Sequence, residues 1–456
     1  MESWYARLQK IYMILLKPAA KAVENISERG RERMICALFA VVFLITFLYS
    51  GETLLWWGVP HINLKTNIVL TVALILTSVL SVKGELRPVV WRKAISVPLF
   101  LCGLGLVITG LIHPIGDGYL SFGFMLLFVY PLLYFVWTNR RDYSTLFMII
   151  SESFLGVSLL YFVYSTVMML IRGSLKHGRR FSGMMRNSNI YSMIGMVMFA
   201  ISLYLLYEYF FGRKRRRTTN KVIFCILAAV IGVTIMILGK SRACILASGI
   251  NLLVTLFFVA RYARRSRRIN SERPSTDVIK NRKKVLVMVI AVALIVSLVA
   301  VSLHQTEGGE RRRRVTWYSR FVPDDEDLNG YTTGRVDIWK SYGRYLNLTG
   351  NNFDETDWAD LTNNKVGHAH NNFFEYGYRC GVPVALLFII LELMAGLISL
   401  RYLFYNERYR SDLLFVIIFM VIYALESMVD VATIPMERYA PLFFYFIVCP
   451  MLDRYV

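Results

Sequence analysis

Long uninterrupted apolar runs constrain this chain more than any other feature. A helix needs roughly 20 apolar residues to cross a bilayer. Twelve runs reach or approach that length: 34–50, 67–82, 94–112, 119–138, 145–171, 189–211, 222–238, 244–260, 285–303, 382–400, 412–428 and 438–452. Inside lipid each segment must satisfy its own backbone hydrogen bonds, so the runs predict helices. Only 18% of the 456 residues are charged, against roughly 25% in soluble domains. That excludes a soluble enzyme and a disordered chain. The expected fold class is an all-α integral membrane protein of about twelve transmembrane helices, with one large extracytoplasmic loop between helices 9 and 10. Residues 1–33 form a cytoplasmic N-terminal segment, 34–303 helices 1–9, 304–381 the loop, and 382–456 helices 10–12.

The formal net charge of +21 would suggest nucleic acid in a polar protein. Here the basic residues sit between apolar runs, so basic inner loops explain them and no nucleic-acid partner is expected. With the N-terminus inside, the inner segments hold 33 Lys and Arg and the short outer loops 9. The 78 residues of 304–381 are too long to count, because long loops cross regardless of charge. Both termini are thereby expected in the cytoplasm. The six cysteines include no C-x-x-C pair, so neither a disulfide framework nor a zinc site is expected. The first apolar run begins near Met34, behind a polar stretch too long for a cleaved signal peptide. Residues 11–20 are short enough to lie along the inner membrane surface.

Chemistry concentrates on the outer side, where every histidine falls. The densest segment is His368-Ala369-His370-Asn371-Asn372, followed by Glu375, Arg379 and Gly381 and then by an apolar run. A histidine at the rim of a bundle can meet a lipid-borne substrate and accept a proton from it. The adjacent carboxamides and Glu375 are in reach to hold its tautomer. The bland alternative is a polar loop with ordinary helix-start chemistry. His368, two residues away, would point to another side if the segment were helical.

Outer arginines are the second signal: Arg172, Arg179, Arg180, Arg186, Arg242 and Arg335. Guanidinium groups grip phosphate with two prongs and stay charged in a partly dry site. Singly, each arginine fits lipid headgroup contact better. Together they suit a pyrophosphate. Gly239-Lys240-Ser241 imitates the end of a phosphate-binding Walker A loop, but Thr234 stands where its glycine belongs. Asp324-Asp325-Glu326-Asp327 lacks the ligand spacing of a calcium loop. Arg311 to Arg314 reads as a solvated face. Glu152, Glu208, Glu392 and Glu426 lie in or beside spans but trace no path.

The pattern resembles the O-antigen ligase and O-antigen polymerase superfamily of bacterial membrane glycosyltransferases. His370, Asn371, nine residues and Gly381 match its loop signature, with Val384 where the family often has Gly, Thr or Tyr. Gly334-Arg335 with Trp339 resembles a second loop motif, Ser241-Arg242 an earlier one, and Gly183 with Asn187-Ser188-Asn189, beside Arg186, a third. A Gly-x-Gly usual before the histidine is missing, and Gly350-Asn351-Asn352 is the nearest equivalent. The resemblance implies a glycan donor on undecaprenyl pyrophosphate and a sugar hydroxyl as acceptor. It implies a location in the bacterial cytoplasmic membrane, among membrane lipids, with no cofactor and no metal. It implies His370, Arg242 and Arg335 as catalytic residues and Arg186, Asn189, Asn371 and Trp339 as substrate contacts. Polymerase is the first expectation. A ligase would share the donor site, and a flippase of lipid-linked oligosaccharide would do no chemistry.

Overall fold

The computed structural model describes residues 2–50, 66–82, 86–91, 93–115, 117–139, 143–171, 181–185, 187–211, 219–270, 332, 334–352, 368–405, 411–430, 433 and 439–452. Every regular element among them is helical. In chain order they are α1 (Glu2–Glu24), α2 (Glu28–Ser50), α3 (Thr66–Ser81) and α4 (Lys93–Ile112). Next, α5 runs Asp117–Phe124, a π-helical turn Met125–Val129, and Tyr130–Asn139. Then come α6 (Tyr143–Ile171), α7 (Ser188–Phe211), α8 (Thr219–Gly239), α9 (Arg242–Asn270), α10 (Arg335–Arg344), α11 (Asn372–Cys380), α12 (Val382–Tyr405) and α13 (Ser411–Val429). Last, α14 runs Tyr439–Phe443, a π-helical turn Phe444–Val448, and Cys449–Leu452.

Eight of these helices are long and apolar enough to cross a membrane: α4 to α9, α12 and α13. The short runs expected at 67–82 and 438–452 form the shorter apolar helices α3 and α14. Run 34–50 lies in α2, behind a charged first turn. Run 285–303 and most of loop 304–381 lie outside the described residues.

The exposed side chains show which faces meet lipid. On α12, Leu386, Ile390, Leu393, Leu397, Leu400 and Phe404 are exposed. Their steps of three and four draw one stripe along the helix. Such a band is stable only against hydrocarbon or another protein. By contrast α7 is apolar all round, and all its residues except Asn189 are buried. It is therefore the central helix.

Small residues let α8 lie directly on α7. A Cβ added at Gly195 would sit 2.5 Å from the Gly232 carbonyl oxygen, and one at Gly232 equally close to that of Gly195. Two turns further along α8, Gly239 packs on Ser192. Between apolar helices in lipid, close approach of this kind is the main source of attraction. Gly195→Leu should force the pair apart, at about 1–3 kcal/mol for overpacking. We expect a lower thermal midpoint in detergent; an unchanged midpoint would show that the seam yields.

The segment expected along the membrane surface belongs to α1. It turns Tyr5, Leu8, Tyr12, Leu16 and Val23 inward and leaves Ile11, Ile14 and Leu15 exposed. The Tyr5 and Tyr12 hydroxyls donate to the carbonyls of Ser96 (2.9 Å) and Phe128 (2.6 Å).

Candidate active site

The histidine segment is a turn in front of α11. Asn371 is the N-cap: its side-chain oxygen accepts from the backbone N–H of Phe373 (2.9 Å) and Phe374 (3.2 Å). Its amide donates to the Met428 carbonyl at the end of α13 (3.2 Å). This carboxamide is thus occupied in ending one helix and docking on another, not in orienting the His370 ring. Capping of this kind contributes about 1 kcal/mol.

His370 itself has φ of +52°. A non-glycine residue in this left-handed region costs roughly 1–3 kcal/mol and persists only where the surroundings enforce it. They do so through Ala369, whose peptide groups are gripped from both sides. Its N–H donates to Glu375 Oε2 (2.8 Å). Its carbonyl accepts from the Trp339 indole N–H (3.0 Å). Glu375 is held in turn by the Arg379 guanidinium. Burial opposes the Arg379 charge, but Glu375 beside it keeps the guanidinium above its ordinary range. The Trp339 ring stacks on Phe374 at 6.1 Å and 7°. Trp339 and Glu375 therefore shape the turn through the Ala369 peptide groups.

The turn also corrects the expectation for His368. That residue is not helical, and its ring meets His370 edge to face, with centroids 4.1 Å apart. The left-handed step at His370 brings two side chains together that a helix would separate.

A residue that the sequence did not single out completes this corner. Asp430 follows α13, is buried, and places Oδ1 3.4 Å from His370 Nδ1. The only sequence signal for it was an acid at the outer end of an apolar run.

Asp430 is also part of the wall of an open cleft of about 110 Å³. The cleft is lined further by Asn189, Lys240, Ser241, Arg242 and Arg335. Its volume admits a phosphate-sized group. Arg242 is the first residue of α9 and Arg335 the first of α10. Asn189 is the second residue of α7. Three helix N-termini thus converge, each with positive partial charge and outward N–H groups. Lys240 (φ +51°) and Gly334 (φ +82°) turn the chain sharply into α9 and α10. The C-terminal end of α13, at Val429 and Asp430, also lines the cleft. The cleft therefore brings cationic side chains and helix N-termini together with the carboxylate beside His370. Arg186 lies outside the described residues, as do Arg172, Arg179, Arg180 and the Arg311–Arg314 run.

Gly381, the last residue of the histidine motif, closes α11 with φ of +90°. Any Cβ there would strike the Leu348 carbonyl, and one at Gly350 (φ +84°) would strike that of Arg379. Segment 347–351 lies against this corner: Asn351 donates to the Tyr378 carbonyl (2.9 Å) and Val382 to that of Asn347 (2.9 Å). His113 Nε2 and the Thr349 carbonyl are 2.6 Å apart, which fastens the segment to the end of α4.

The glutamates that trace no path in sequence have local partners. Glu152 pairs with Lys221 (2.5 Å) and accepts from the Tyr209 hydroxyl (2.6 Å). Glu392 accepts from Ser427 (3.2 Å).

With this geometry in place, the comparisons are specific. Residues 227–389 match the model of the O-antigen ligase family. The match supports the resemblance to the O-antigen ligase and polymerase superfamily. It takes in Arg242, Arg335, Trp339, His370 and Gly381. Asn189 and Asp430 fall outside it and reach the cleft through the fold. No curated protein and no solved structure matches the chain.

Proposed function

We propose that this chain is a membrane glycosyltransferase that lengthens a cell-surface polysaccharide. It would move an undecaprenyl-pyrophosphate-linked oligosaccharide onto a sugar hydroxyl at the outer face of the bacterial cytoplasmic membrane. The observation that carries this reading is the cleft. Arg242, Arg335 and Asn189 come to it from three helix N-termini, and the carboxylate beside His370 lines it too. The family match supports the ligase and polymerase type of chemistry. In this reading run 285–303 completes twelve spans, and 304–381 lies outside with both termini inside.

The reaction divides between these two sets of groups. The acceptor oxygen attacks the anomeric carbon while that carbon's bond to the pyrophosphate oxygen breaks. Arg242, Arg335 and the helix N-termini meet the charge that gathers on the departing pyrophosphate. Nε2 of His370 takes the hydroxyl proton and releases it to water after the acceptor has left. Asp430, 3.4 Å from Nδ1, favours the proton on that nitrogen and leaves Nε2 as the acceptor, and the approach tightens to a hydrogen bond as the imidazolium forms. The positive wall does the work that a divalent ion does in other pyrophosphate enzymes, so the transfer is assigned no metal.

A ligase would use the same donor wall and differ only in its acceptor. A flippase would need polar groups along a path with sites near the bilayer midplane. The cationic wall and the histidines instead gather at one end of the bundle. Purified chain given lipid-linked oligosaccharide should produce a ladder of longer glycans and free undecaprenyl pyrophosphate. Transfer only after a separate glycolipid is added would make it a ligase. No new glycosidic bond with either acceptor would sink the enzyme reading.

A further inference from the structure

The corner formed by His368, His370 and Asp430 has a chemistry that the transfer does not use. We propose that these three residues capture a divalent transition-metal ion, zinc above all, and that its binding switches the transferase off. The binding half stands on geometry alone. The inhibition half rests on the general-base role of His370 proposed above.

One ligand atom from each residue can be chosen so that all three lie within 4.8 Å of one another. Zinc bonds to His nitrogen at roughly 2.0–2.1 Å, and to carboxylate oxygen at similar length, in a tetrahedron whose edges are then about 3.4 Å. The approach of His370 Nδ1 to Asp430 Oδ1, 3.4 Å, already has that edge length. The His368 ligand atom, within 4.8 Å of the other two, has to close the remaining distance to take the third corner.

The donor set selects the metal. Two imidazoles and one carboxylate suit zinc, copper or nickel, whereas magnesium and calcium prefer oxygen ligands. The carboxylate is buried and fixed at the end of α13. Nδ1 of His370 is shut off from solvent and makes no hydrogen bond. With three protein ligands, a zinc ion would take water as its fourth. The residues come from two separate parts of the chain, so the corner exists only in the folded bundle.

The switch follows from the tautomers of imidazole. A neutral ring carries one proton, and its other nitrogen is the acceptor. A metal on Nδ1 takes that lone pair and leaves the proton on Nε2. The nitrogen that faces the acceptor then has no lone pair to offer. Proton count is unchanged, and no bond other than the metal–ligand bonds is made. Removing the metal restores the base.

The test uses full-length chain in detergent, carried without a polyhistidine tag and stripped with a chelator. Titration with Co²⁺ should raise the visible band of a four-coordinate site, saturating at one ion per chain, and Zn²⁺ should bleach it. His368→Ala and Asp430→Asn should each weaken Co²⁺ binding at least tenfold. His113→Ala, at another outer-end histidine, should leave it unchanged. All variants must elute as the parent does. In the glycan-ladder assay Zn²⁺ should inhibit at the concentration at which it binds, a chelator should reverse it, and His368→Ala should need at least tenfold more Zn²⁺. Absence of the Co²⁺ band, or equal binding in all three variants, would overturn the site. One ion bound without inhibition would overturn the switch and count against His370 as the base. Tight binding by a chain that forms no glycosidic bond would keep the metal site and remove the transferase reading.

Discussion

Replacing His370 is expected to stop glycan elongation while the protein inserts and accumulates normally. A sugar hydroxyl is a poor nucleophile until its proton has somewhere to go. A positioned base contributes typically 10²–10⁴-fold to such a step. Lipid-linked single repeats should build up, because their assembly lies upstream. The backbone at this position is left-handed, so His370→Ala mixes strain with lost chemistry. His370→Asn separates the two, since Asn visits that region at lower cost. Both variants should fail on a gel of lipid-linked glycans. His368→Ala should keep partial activity. Asp430→Asn keeps the shape of the corner but not its charge, and should fall between them. A normal ladder from His370→Asn would end the general-base reading and bring the flippase forward.

The second large effect is expected at the cationic wall. Arg335→Ala removes a planar, permanently charged donor from the start of α10. Loss of one preorganised donor to a developing anion costs roughly 10²–10³ in rate, and a value near the lower end is expected because Arg242 remains. Arg242→Lys keeps the charge but loses the two-pronged geometry, and should cost about tenfold. Substitutions in the Arg311–Arg314 run serve as controls and should matter little. The measurement is initial rate of ladder formation at equal protein level. Equal tolerance at all these positions would show that Arg242 and Arg335 serve lipid headgroups and not the donor.

The bundle was legible in the sequence because apolar length is a local property. Each described run became a helix, and the lipid-facing stripe of α12 follows from its spacing. Short motifs singled out Arg242, Arg335 and Asn189, but nothing local shows that they line one cleft. Asp430 was not, because it lies some 60 residues beyond His370 and meets it only in three dimensions. Asn371 and Trp339 were read as substrate contacts. A carboxamide before a helix is drawn to the free N–H groups of the first turn, and that pull decided the case of Asn371. Trp339 found a backbone carbonyl whose position depends on the turn at His370. The pairing of His368 with His370 depends on one positive φ, which residue types other than glycine seldom announce.

The two arginines stand on supports of different size. Arg242 begins a 29-residue helix built into the bundle. Arg335 begins a ten-residue helix whose buried side chains, Ile338 and Tyr342, belong to a small separate core with Ala369 and Tyr378. In the proposed reaction the grip on the leaving group would thus rest on the bundle on one side and on this small core on the other. The same small helix carries Trp339, whose bond to Ala369 helps hold His370 in its left-handed turn. A substitution that loosens this small core, at Tyr342 for instance, would therefore disturb the contact to the leaving group and the poise of the base together.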